Sequence, residues 1–193
     1  MDRDRKPIHE RETTKKEIET STILACDPSL TAWGWVIIDF HGDILDHGCI
    51  KTEPSNKKLR IRKGDDRCRR INEITTVLID LVNRYNVQLI LSEQPHGSQS
   101  AVAAVMIGIC LGIAQTLADC MNIAIEWYSE GECKKRLLGK RSATKGETIA
   151  AISQHYPDLE WTGTKYKDEA IADAMAVYHY AKSASSLLRM LPK

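Results

Sequence analysis

This chain lacks the spacings that mark a zinc-binding or disulfide-stapled protein. Its six cysteines, Cys26, Cys49, Cys68, Cys110, Cys120 and Cys133, form no CxxC pair and no Cys/His cluster. They therefore read as small buried hydrophobes of a reducing compartment. A secretory leader is also missing, because the first twenty residues are densely charged. A cytoplasmic location is expected. There is no internal repeat and no low-complexity tract. Nor does charge of one sign dominate: 27 Lys and Arg face 26 Asp and Glu, so no overall field designates a partner. No phosphate-cradling loop or Gly-rich adenosine motif is visible, and no nucleotide cofactor is expected. There is one long hydrophobic run, "AVAAVMIGICLGIAQTLA" at 101–118, with Gly108 and Gly112 at GxxxG spacing. It is rich in Ala and Gly, contains Gln115 and stands alone in a charged chain. A buried helix is expected there, and no membrane contact.

Charge is uneven locally. Residues 51–70 hold nine Lys/Arg against three acids, and 134–145 hold six basic residues and no acid. Such patches suit a polyanion, although each alone is also what a solvated face looks like. The pattern along the chain predicts strands at 22–26, 33–39 and 44–50, with "HGD" as a hairpin loop between the last two. A basic loop follows at 51–66. A helical stripe of Ile71, Ile74, Leu78, Leu81 and Val82 spans 67–85. "VQLILSE" reads as a short buried strand, then come the apolar helix and a strand at 123–127. Helices near 130–138, 144–155 and 167–182 complete the pattern. Three meandering strands followed by strand–helix alternation imply an α/β fold with a mixed sheet and helices on both faces. The domain is expected to span 21–185, with a charged tail at 1–20 and a short tail at 186–193.

Acidic residues stand at telling places. Asp27 and Glu93 each follow an apolar strand, and in a parallel pair such C-terminal ends lie side by side, where open α/β sheets place ligands. "KDEAIADAMAVYHY" puts Glu169 and Asp173 four residues apart, on one helix face. Singly, Asp27 could start a turn, Glu93 could cap a loop, and the helical pair could be solvated. Together they form a set that repels itself unless a hard dication sits within it. Oxygen ligands of this kind favour Mg²⁺.

On these residues the chain resembles the RuvC family of Holliday-junction resolvases, within the RNase H-like superfamily. "ILACDPSLTAWGWVIID" is similar to the family's first acidic motif, and "LDHGCIKT" to its third strand. "LILSEQPHGSQS" followed by Gly108 and Gly112 matches the second acidic motif and its Gly-spaced helix. "YSEGECKKRLLGKRSATKGE" matches a segment of Tyr, Lys, Gly and Lys, and "ADAMAV" the last acidic motif. The match covers about residues 22–182, with a flavour of phage-type members. Three departures stand out. Ser29 replaces a Gly in a shorter turn. His96 falls where bacterial members carry a stacking aromatic. The family's fourth carboxylate would lie at Ala170, and here Asp168 and Glu169 precede it.

The resemblance implies an RNase H-like fold with a five-stranded sheet: a three-strand meander plus two parallel strands. It implies a dimeric endonuclease of DNA recombination and repair that cuts four-way junctions by paired nicks and leaves 5′-phosphates. Its cofactor would be Mg²⁺, two ions per site, with Mn²⁺ as substitute. Asp27, Glu93 and Asp173 carry over as metal ligands. The fourth is Glu169 or Asp168; the helical angle favours Glu169, about 40° from Asp173 against about 140° for Asp168. Lys134 and Lys145 carry over as basic residues near the cleaved strand, where Lys145 would neutralise charge on the reacting phosphate. Lys134, Lys135, Arg136, Lys140, Arg141 and Lys145, with Lys57, Lys58, Arg60, Arg62 and Lys63, would contact DNA, and His96 would stack at the junction. The apolar helix is apolar almost all round, so its spare face could form the dimer seam or be covered by a second layer of helices. The alternatives are a same-fold nuclease for other branched or flapped DNA, a non-catalytic DNA-architecture protein, and an actin-like phosphotransferase.

Overall fold

A computed structural model of the chain describes residues 21–190. The expected tail at 1–20, and the end of the one at 186–193, lie outside the described residues. The strands β1 (Thr22–Asp27), β2 (Ala32–Asp39) and β3 (Ile44–Lys51) form an antiparallel meander. The strands β4 (Val87–Gln94) and β5 (Ala124–Ser129) add in parallel, giving the sheet order β3-β2-β1-β4-β5. The β2–β3 turn is tied by one side chain. Asp39 Oδ1 accepts from the backbone N–H groups of His41, Gly42 and Asp43 at 2.8–2.9 Å. Gly42, at φ +100°, supplies the left-handed turn residue.

Among the described residues six helices flank the sheet: α1 (Lys63–Tyr85), α2 (Ala101–Met121), α3 (Glu130–Leu138), α4 (Lys145–His155), α5 (Lys165–Ala184) and the short α6 (Ser186–Met190). Among α1–α5, three starts carry side-chain caps. Ser100 caps α2, Ser129 caps α3, and Thr144 with Glu147 forms a capping box on α4. Strand alternation sorts the core into two layers. Ile23, Ala25, Val36, Ile38, Leu89 and Leu91 pack on the side of α3, α4 and α5. Leu24, Cys26, Ile37 and Ile90 pack on the side of α1 and α2.

Several boundaries differ from the sequence pattern. Helix α1 begins at Lys63, not 67, because Asp65 and Asp66 in its first turn complement the helix dipole and bind Arg62 and Ser55. The segment before it is not all loop, since Lys57–Leu59 makes one 3₁₀ turn. Residues 186–190 are helical where a tail was expected. Helix α2 is long and apolar enough to cross a membrane, yet it packs only one face, Cys110, Ile113, Ala114, Leu117 and Ala118, into the core. Its other face is bare: Val102 is 70% exposed and Val105 52%. The six cysteines are free, as expected, but Cys68 and Cys120 are exposed and were not built into the core.

Candidate active site

The register of β1 on β4 builds the site. Ala25 pairs with Leu91 and Cys26 with Ser92, so the next step sets Asp27 beside Glu93. Side chains alternate along a strand, so Asp27 shares the face of Ile23 and Ala25, and Glu93 that of Leu89 and Leu91. Both carboxylates therefore open toward α3, α4 and α5. Helix α5 comes down on this face unusually closely. Gly34 of β2 pairs with Asp27, and a Cβ at Gly34 would sit 2.1 Å from the Ala170 carbonyl oxygen. Only glycine permits that approach. One turn beyond Ala170, Asp173 is buried at 2% exposure over the strand ends.

Two helix starts complete the cluster. Lys145, first residue of α4, ion-pairs with Asp173 Oδ2. Glu130, first residue of α3, follows directly from β5 and ion-pairs with the buried Lys134 one turn on. Burial and then the neighbouring Asp173 charge push Asp27 up to about 7. Burial, then Asp27 and Asp173, push Glu93 up to about 9. Burial likewise raises Asp173, against the pull of Lys145. Burial works against the Lys145 ammonium, but the charge and hydrogen bond of Asp173 hold it above its ordinary value. The hydrogen bond from Lys134 lowers Glu130.

The donor set fits a hard divalent cation. All its donors are carboxylate oxygens, they repel one another, and Asp173 Oδ1 is buried with no hydrogen-bond partner. Among the described residues no three His, Cys, Asp or Glu side chains already form a closed metal-ligand cluster. Here Lys145 and Lys134 supply the positive charge.

The other expected site residues fall in different places. Asp168 is the fourth residue of α5, and its Oδ1 accepts from the Thr162 N–H at 2.9 Å and its hydroxyl at 2.6 Å. That carboxylate ties down the preceding loop. Glu169 is half-buried and makes no hydrogen bond or ion pair among the described residues. The charges pressing hardest on Asp27, Glu93 and Asp173 are one another's and those of Lys145, Lys134 and Glu130, not those of Asp168 or Glu169. Lys134, expected near the cleaved strand, is 6% exposed and ion-pairs with Glu130 beside the carboxylates. Lys135, Arg136, Lys140 and Arg141 are exposed, with Lys140 paired to Glu147. Lys57, Lys58, Arg60, Arg62 and Lys63 are exposed, with Arg62 paired to Asp65. Because Lys51 pairs with Ala32, this loop leaves the sheet at the end that carries Asp27. Exposed His96 lies over Gly131 at the start of α3. Sequence reasoning missed Glu130. Its signal was its place: it follows a strand whose C-terminal end lies beside that of β4.

A mixed five-stranded sheet in this order, with acids at the ends of its central parallel pair and helices on both faces, is the RNase H-like class of α/β fold. The family model described as "Crossover junction endodeoxyribonuclease RuvC" matches residues 23–179, and the chain belongs to that family. A relative of that name from Parvibaculum lavamentivorans is 28% identical over 156 residues, covering 81% of this chain and 83% of its own. One from Ehrlichia canis is 27% identical over 163 residues, covering 83% and 97%. Among solved structures, T. thermophilus RuvC in complex with a Holliday junction substrate matches with a TM-score of 0.66. Its identity is 18%, and the match covers 85% of this chain and 96% of that one. At that identity the likeness speaks for the fold.

Proposed function

We propose that this chain is a Mg²⁺-dependent, structure-selective endodeoxyribonuclease that resolves four-way DNA junctions in the cytoplasm by paired nicks. The observation that carries the reading is the placement of Asp27 beside Glu93, under a buried Asp173 whose Oδ1 has no partner. The names of the family and of its relatives support the same substrate.

Asp27, Glu93 and Asp173 would hold the metal on rigid elements, two at strand ends and one on a helix seated against the sheet. A divalent cation bound there lowers the pKa of water and neutralises phosphate charge, and a pair of ions can serve attacking and leaving oxygens. Lys145, half-exposed beside Asp173, can turn its ammonium to the scissile phosphate and offset the charge that develops. Exposed cations on both sides of the mouth, at 57–63 and 135–141, would follow the backbone without reading sequence. His96, over the start of α3, lies at the rim where an unpaired base could rest.

A four-way junction has near-twofold symmetry, so paired nicks call for a twofold dimer. The bare face of α2 fits that seam: Val105, Gly108 and Gly112 lie on it, and both glycines have open space above them. The test is cleavage of mobile and immobile four-way junctions beside duplex, flap and three-way DNA, with Mg²⁺ or chelator. Preferred cutting of four-way junctions in Mg²⁺ is expected. Equal cutting of flaps would shift the substrate to other branched DNA. Binding without cutting would leave an architectural protein.

A further inference from the structure

Glu169, one turn before Asp173 on α5, makes no hydrogen bond or ion pair among the described residues, and the position three residues before Asp173 holds no acid. That residue, Ala170, is buried against Gly34. The opposite flank offers another acid. We propose that Glu130 supplies the fourth carboxylate of the metal site, a role that rests on the nuclease reading above.

Its position comes from the sheet. Tyr128 pairs with Glu93 and Ser129 with Gln94, so Glu130 is the next residue out of β5, at the level of the mouth. Its charge reaches Asp27, Glu93 and Asp173 alike. The ion pair with Lys134 points the same way. A lysine four residues on from a helical glutamate ordinarily sits in solvent. Lys134 is 6% exposed, and its charge also acts on Asp27 and Asp173, so the pair faces the site. The orphaned Asp173 Oδ1 is an independent sign that the mouth is built for one more cationic partner. When that partner arrives, Glu130 can exchange Lys134 for it by side-chain rotation, since its carboxylate is 38% exposed and its helix begins with it. Glu169 is not among the charges that press hardest on the three acids.

The experiment is metal binding by the full chain without DNA, after chelator treatment, measured by titration calorimetry with Mn²⁺ and Mg²⁺. A Ca²⁺-dependent melting shift gives a second readout that needs no turnover. Asp27→Asn should remove binding. Glu130→Gln should weaken it at least tenfold, Glu130→Asp should weaken it less, and Glu169→Gln should stay within about twofold of wild type. Melting of each variant in chelator checks that the fold is intact, and the aspartate variant keeps the test open if the glutamine variant is unstable. Wild-type affinity in folded Glu130→Gln, or an equal loss in Glu169→Gln, overturns the proposal while Asp27→Asn still reports a metal site. No metal binding by wild type, with Asp27→Asn indistinguishable from it, overturns the nuclease reading as well.

Discussion

Replacing Glu93 with glutamine should stabilise the metal-free protein while destroying its activity. Glu93 is 7% exposed and its carboxyl is pushed up to about 9, first by burial and then by the charges of Asp27 and Asp173. A folded value above the ordinary 4.5 means that the native state holds a proton the unfolded chain has released. That contribution to stability is whole below 4.5 and is lost as pH rises toward 9. Each pH unit in that window weighs about 1.4 kcal/mol, so by pH 7 the wild type has lost about 3 kcal/mol. Glutamine has nearly the same shape and never ionises, so it escapes the loss. Water at the mouth screens part of it, leaving a gain of about 2 kcal/mol, or about 4–8 °C in Tm for a chain of this size. The assay is thermal unfolding in chelator from pH 5 to 9, repeated with Mg²⁺. The gap between variant and wild type should be small at pH 5 and grow with pH. Mg²⁺ should narrow it, because wild type binds the ion more tightly than the variant does. A gap that is flat across pH, or a variant less stable than wild type at pH 8 in chelator, would falsify the claim that burial and like charge hold this proton.

Asp27→Asn should abolish junction cutting and keep junction binding, since cationic surface binds and the carboxylates cut; more than a tenth of wild-type cleavage would sink the assignment. Lys145→Ala should lower turnover on the order of 100-fold at saturating DNA, with affinity changed far less, because one phosphate contact among many carries little of the binding. Equal losses in binding and turnover would make it an ordinary surface contact. Gly108→Arg should convert a dimer to monomer in sedimentation, whereas Ile113, 8% exposed and in the core, should unfold the protein when made charged. Gly34→Ala should melt several degrees lower and cut poorly, because its Cβ would meet backbone at 2.1 Å. A variant with wild-type melting would refute that contact.

The fold was legible where a single hydrophobic pattern ruled. The apolar runs of 22–26 and "VQLILSE" placed β1 and β4, and with them Asp27 and Glu93. The stripe from Ile71 to Val82 placed most of α1 but not its first turn, which rests on acidic residues that lie outside any hydrophobic period. Charge runs were a weaker guide. Arg70 counted toward a basic patch, yet its guanidinium is buried and donates to the Thr52 hydroxyl at 2.7 Å and the Leu30 carbonyl at 3.1 Å. Lys134, counted in the second basic run, is likewise buried, because burial of a long cation depends on which neighbours the fold delivers. Glu130 lies inside the segment "YSEGECKKRLLGKRSATKGE", but the resemblance there rests on Tyr, Lys, Gly and Lys and passes over it. Its role follows only from the pairing of β5 with β4.

The contact between Gly34 and Ala170 is main chain against main chain. Most packing between a helix and a sheet passes through side chains, which act as springs and can be retuned by substitution. Here the helix rests on a hard stop. The width of the gap between Asp173 and Asp27 is thus set by peptide geometry, and no repacking elsewhere can reset it. Changes in the loops, the cationic rim or the outer helix face leave that spacing alone, and it stays locked to a dimension that mutation at position 34 can only enlarge.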